Sequence, residues 1–169
     1  MADYVTNFSL VLELPDEHAQ AYALKIASEA AAWSQDDQIP SDFPVSLVDV
    51  LEIWLFETEA HCEPGAEQQD IHGVWLHSGD GGIDAACAFI QHLLRKFKLK
   101  DFVSFEWSND CSKPRVDAYG GGAAIITASK IISMTTAEWV EKQAARRRQK
   151  KGSRGQNSSN PPPRHSIQS

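Results

Sequence analysis

The sequence predicts an α+β domain: one mixed β-sheet of about five strands, two main helices on one face of it, and a C-terminal helix. Three observations predict this. Phe8, Leu10 and Leu12 alternate along the first segment, as in a strand with one buried side. Residues 17–33 and 83–97 instead repeat apolar side chains every three or four positions, the period of an amphipathic helix. Short apolar runs bounded by glycine lie between and after them.

Taken in order, residues 7–14 form the first strand, and Pro15-Asp16-Glu17 stops it. Asp16 is placed to cap a helix over Glu17–Trp33, in which Tyr22, Ile26, Ala30 and Trp33 share a face. A polar linker, Ser34 to Ser41, follows, and Pro44 opens a short helix to about Val50. Glu52 to Glu59 reads as the second strand and Gly73 to Ser78 as the third. In the next helix Ile83, Ala86, Cys87, Ile90, Leu94 and Phe97 make the apolar stripe, with Arg95 and Lys96 at the end where cations favour the helix dipole. Phe102 to Trp107 is a fourth strand, and Ala123 to Thr127, entered through Gly120-Gly121-Gly122, a fifth. Thr135 and Glu138 then have the spacing of a capping box, and the helix they open is expected to fray within 146–151.

A shift of 49 residues lays Phe56-Glu57 over Phe105-Glu106, Cys62 over Cys111 and Gly73 over Gly122. This points to two βαβ-like copies making one sheet, hence to a ferredoxin-like or split βαβ relative. The domain is expected over 4–141, with a basic, largely disordered tail over 142–169.

Charge divides the chain in the same way. Residues 1–141 hold 8 basic against 23 acidic residues, and residues 142–169 hold 8 basic residues and no acid. No apolar run approaches the roughly 18 residues that a membrane helix needs. The first residues lack the basic-then-apolar order of a secretory signal. Three cysteines are too few, and odd in number, for a disulfide framework, so a reducing cytoplasm is expected.

Trp75-Leu76-His77-Ser78 before the second long helix, Phe105-Glu106-Trp107 after it, and Cys111-Ser112-Lys113-Pro114-Arg115 leading to Gly120-Gly121-Gly122-Ala123 resemble a family of small proteins encoded by bacteriophages and mobile elements. The resemblance spans about residues 70–140. It implies a mobile-element origin and brings no catalytic residues with it.

The richest candidate site is the 108–122 hairpin, where Asp110, Lys113, Arg115, Tyr119, Gly120, Gly121 and Gly122 could bind a ligand. Pro114 holds the two cations on an extended chain, and the glycines permit close backbone approach. A solvated hairpin whose glycines solve a bend is the alternative. Gly79-Asp80-Gly81-Gly82 precedes a helix but matches no phosphate-binding fingerprint; Asp80 is better placed as a helix cap. His61, Cys62, His72, His77, Asp110 and Cys111 lack metal-ligand spacing, so no metal or cofactor is expected. A Cys111–His77 pair has no supporting motif. Glu57 and Glu106, equivalent under the repeat, could face each other across neighbouring strands.

The leading functional expectation is a non-catalytic accessory protein of a phage or plasmid. It would bind a host protein, with its acidic body mimicking nucleic acid against a nuclease or defence system. The alternative is a nucleic-acid-binding module using the hairpin and Arg146, Arg147, Arg148, Lys150 and Lys151. A third is a small metal protein or enzyme at the cysteine turns. Membrane binding is not expected, and a homodimer is open.

Overall fold

The structure, a computed structural model, describes residues 3–63, 71–113, 115 and 118–156, with side chains described as far as residue 149. The chain divides into two compact units, Met1–Thr135 and Thr136–Ser169.

The first unit contains β1 (Tyr4–Leu14), α1 (Glu17–Ala32), a 3-10 helix (Val45–Ile53), β2 (Glu57–Glu63), β3 (Ile71–Ser78), α2 (Ile83–Lys96), β4 (Val103–Cys111), β5 (Gly120–Ile126) and β6 (Ile131–Thr135). The strands form one sheet in the order β2-β3-β1-β4-β5-β6, and every pairing is antiparallel. The fold is α+β, as the periodicities predict. Its first four strands take the split βαβ order, to which β5 and β6 are added beyond β4.

Two features of the expected sheet are corrected. It is antiparallel and not mixed, because β3 returns from β2 and inserts between β2 and β1, which separates the two strands that α1 connects. It has six strands and not five. Thr127 closes a tight turn in which its amide donates to the Lys130 carbonyl (2.8 Å) and its hydroxyl accepts from the Lys130 amide (2.9 Å). That turn folds Ile131–Thr135 back on β5, with Ile125 opposite Ile132.

Register decides which side of each strand meets the helices. Leu12 lies opposite Val74, Leu10 opposite Leu76, Phe105 opposite Ala124 and Val103 opposite Ile126. Among these, Leu12, Val74, Leu76, Phe105, Ala124 and Ile126 are buried and join one core with residues of both long helices. The small residues Ala19, Ala23, Ala27 and Ala30 let α1 approach closely, while α2 contributes Phe89, Ile90, Leu93 and Leu94. Asp16 caps α1 as expected, its Oδ1 accepting from the Ala19 amide at 2.8 Å.

The expected strand over 52–59 is displaced. The 3-10 helix continues to Ile53 and β2 starts at Glu57, because Trp54 and Phe56 both turn into the core against Phe89. The two hairpins begin their second strands 49 residues apart, at Ile71 and Gly120, yet they pair differently. Glu63 opposes Ile71, whereas Asn109 opposes Gly120. The offset is odd, so Gly73 and Gly122 lie on opposite faces and the repeat extends to element order without extending to register. Cys62 ends up on the edge strand opposite His72, while Cys111 sits inside the sheet opposite Tyr4.

In the second unit, α3 (Thr136–Gln156) carries Lys142, Arg146, Arg147 and Arg148 on a helix that continues beyond the expected fraying point. No helix among the described residues is long and apolar enough to cross a membrane.

Candidate functional site

With α1 and α2 on one side of the sheet, strand alternation places the other set of side chains on the side without them. That set includes Glu57, Glu59 and Glu63 of β2, Glu13 of β1, and Glu106 and Asp110 of β4, all exposed. No Lys or Arg occupies an outward position on any of the six strands. Val11 and Trp75 lie between the acids, and Ile125 and Ile132 lie beyond them on β5 and β6, each at least a third exposed. The first unit holds 8 basic and 21 acidic residues, so this face concentrates the sign of the whole unit.

At the β2–β3 end of the face, Glu57 lies directly opposite His77 and Glu59 opposite Trp75. The Trp75 and His77 rings sit 4.0 Å apart between centroids, and Trp75 Nε1 donates to Ser9 Oγ (2.8 Å). His77 Nε2 is 3.4 Å from Glu59 Oε1 and 4.0 Å from Glu57 Oε2. The suggested partnerships of these residues do not form. Glu57 and Glu106 stand three strand positions apart, roughly 14 Å at the usual strand spacing. Cys111 belongs to the helix-facing set and His77 to the opposite one, with β1 between their strands.

The predicted hairpin site comes together only in part. Tyr4, Thr6, Asn109, Asp110, Ala118 and Tyr119 surround a shallow hollow of about 250 Å³. Arg115 Nη1 donates to Tyr4 Oη at 3.2 Å, which turns this cation to the end of β1. Lys113 is exposed, while Pro114 and Asp117 lie outside the described residues. Gly121 and Gly122 answer to a structural need, while Gly120 is exposed opposite Asn109. A Cβ on Gly122 would stand 2.2 Å from Trp107 Cζ2, and Gly121, at φ +153°, would place one 2.2 Å from the Trp107 carbonyl oxygen. Trp107 fills the approach that the sequence offers to a ligand.

The loop before α2 is likewise committed to its own structure. Ser78 Oγ accepts from the amides of Asp80 (2.9 Å) and Gly81 (3.1 Å) and donates to the Leu55 carbonyl (2.5 Å). Asp80 does not cap α2. The cap position is Gly82 at φ +77°, where a side chain would crowd the Leu55 backbone. Cys87 is buried on α2, and burial, reinforced by Asp84, pushes its thiol up to about 12. It is an inert packing residue.

A hydrogen-bonded chain escapes the sequence reading altogether. Ser46 Oγ lies 3.1 Å from His92 Nδ1, and Tyr22 Oη lies 2.8 Å from His92 Nε2. The ring stacks on Tyr22, and Lys96 Nζ lies over the Tyr22 ring at 4.2 Å from its centroid. Burial, then Lys96 and Arg95, lowers the His92 pKa; burial also raises that of Tyr22. A neutral imidazole between two hydroxyls resembles a nucleophile–base pair. The neighbouring cations, however, oppose the imidazolium that base catalysis must form, and among the described residues no carboxylate hydrogen-bonds to it. Tyr22 belongs to the apolar spacing of α1, but His92 lies outside the apolar stripe of α2, and periodicity within either helix carries no sign that the two meet.

Comparison with known proteins adds no relative. No protein-family model, curated protein or solved structure matches this chain. The face, the hairpin hollow and the imidazole chain therefore rest on their own chemistry.

Proposed function

We propose that this is a non-catalytic docking protein that binds a cationic surface of a partner protein through the face of its sheet opposite α1 and α2. The carrying observation is the charge pattern: six outward carboxylates and no outward Lys or Arg on six strands, with Trp75 and Val11 available for apolar contact. Such a pattern raises encounter rates with basic surfaces and rejects acidic ones. Nucleic-acid-binding proteins present surfaces of this basic kind. With the motif resemblance over 70–140, this supports a phage or plasmid accessory factor that occupies the nucleic-acid site of a host protein in the cytoplasm.

The test is a competition, at low salt, in which the protein displaces fluorescent duplex DNA from a basic, sequence-independent DNA-binding protein. Displacement is expected to weaken at high salt, because surface charge pairs are screened within about 10 Å at 0.1 M. Reversing Glu13, Glu59 and Glu106 to Lys is expected to abolish it. Reversing Glu17, Asp36 and Asp49, exposed acids off that face, changes net charge equally and is expected to leave it intact. Equal loss in both variants would reduce the effect to net charge and overturn the reading.

One observation favours a second reading: α3 places Lys142, Arg146, Arg147 and Arg148 on a helix with no acid after Glu141. Such a helix supplies salt-sensitive, sequence-independent affinity for nucleic acid. Direct duplex binding that disappears when the chain is ended at Thr135 would support this reading over docking.

A further inference from the structure

We infer that Glu57, Glu59 and His77 form a binding site for a divalent transition-metal ion of the zinc class. The three residues come from two adjacent strands, and the pairing of β2 with β3 brings them together. Glu57 and His77 are a direct cross-strand pair, and Glu59 is the next residue of β2 on the same face. One ligand atom from each lies within 4.8 Å of the others.

Two observations separate this cluster from an ordinary patch of surface acids. First, it contains a partly buried imidazole whose Nε2 is itself shielded from solvent and has no hydrogen-bond partner among the described residues, although it lies within 4.0 Å of both carboxylates. A histidine in a simple ion pair would direct its N–H at one of those oxygens. Second, the separations suit a shared ion. Four ligands at the 2.0–2.1 Å typical of zinc stand roughly 3.3 Å from one another at the corners of a tetrahedron. His77 Nε2 and Glu59 Oε1 are already 3.4 Å apart, and Glu57 Oε2 at 4.0 Å needs only a small side-chain rotation. The close, tilted contact with the Trp75 ring restrains the imidazole, and the Ser9 hydroxyl in turn holds the indole. This is the kind of surrounding support that orients metal ligands.

Three protein ligands leave one position of the ion to water. One imidazole with two carboxylates is a borderline donor set that favours zinc or a neighbouring first-row ion over calcium or magnesium. The nearby Cys62 belongs to the opposite set of β2 side chains and is not part of the site.

The inference stands apart from the docking reading, because its test contains no partner. The full-length chain, stripped with a chelator and then freed of it, is titrated with zinc chloride in a calorimeter. One ion per chain is expected, with little or no heat from magnesium chloride. His77→Ala and the conservative Glu59→Gln are each expected to weaken zinc at least tenfold, with far-ultraviolet circular dichroism unchanged. Glu106→Gln removes the same charge from the same face, and Cys62→Ser and His61→Ala remove the thiol and the imidazole of β2; all three are expected to bind as the parent does. Absence of saturable binding would overturn the assignment. So would binding that survives Glu59→Gln and His77→Ala, or that vanishes in Cys62→Ser.

Discussion

Burial separates side chains of the same kind at the scale of single residues. Cys87 is packed within α2 and its thiol is pushed up to about 12, whereas Cys62 is exposed on β2. A thiol reagent such as Ellman's is therefore expected to modify Cys62 in the native protein and Cys87 only after denaturant is added. His92 gives a pH dependence with a definite sign. Its folded pKa lies below the ordinary 6.5, so as pH falls below that value the unfolded chain takes up the proton first. Stability is then lost with acidification and is fully present at neutral pH. Thermal melts between pH 7 and 5 are expected to fall less steeply for His92→Gln than for the parent. The cap at Asp16 was legible in the sequence because it depends on residues three positions apart. The partners of His92 were not, since Ser46 and Tyr22 are 46 and 70 residues away.

The elements are joined at a few specific points, and Gln20 is the clearest. It is buried on α1, and its Nε2 donates to the carbonyls of His61 (2.7 Å) and Gly73 (2.6 Å), tying the helix to β2 and β3. Gln20→Leu would leave those acceptors without this donor. Denaturant unfolding is expected to show a loss of about 1–3 kcal/mol. Removing the cap with Asp16→Ala is expected to cost about 1 kcal/mol. At the β4–β5 hairpin, Gly122→Ala forces a Cβ against Trp107 and the Met134 carbonyl, and a loss of about 1–3 kcal/mol is expected by the same measurement. The long helices and β1 were readable because each declares its period over many residues. The five-residue β6 was not, as it has room for little more than two periods and runs directly into α3.

At the scale of the whole molecule, all six strands, the helices α1 and α2 and the core cluster of the described residues precede Thr136. A chain ended at Thr135 is therefore expected to unfold in one cooperative transition, followed by circular dichroism. A gradual melt would show that α3 is needed for the fold. The acidic imbalance could be read from composition, yet its concentration on one face could not. Six carboxylates drawn from β1, β2 and β4 share one face only because strands separated in sequence are neighbours or near neighbours in the sheet.

What the sequence determined by itself is therefore local: the α+β class, the two long helices, the Asp16 cap, and the division between an acidic body and a basic end. The helices and the cap follow from residues within one or two helical turns of one another, where periodicity and capping act, and the charge division follows from composition along the chain. Tertiary structure alone decided that the sheet is antiparallel throughout, that the aligned glycines serve different neighbours, and that His77 meets Glu57 and Glu59 and not Cys111. Those outcomes depend on strand register. A one-residue slip turns every side chain to the other face, and register is set by packing across the whole sheet.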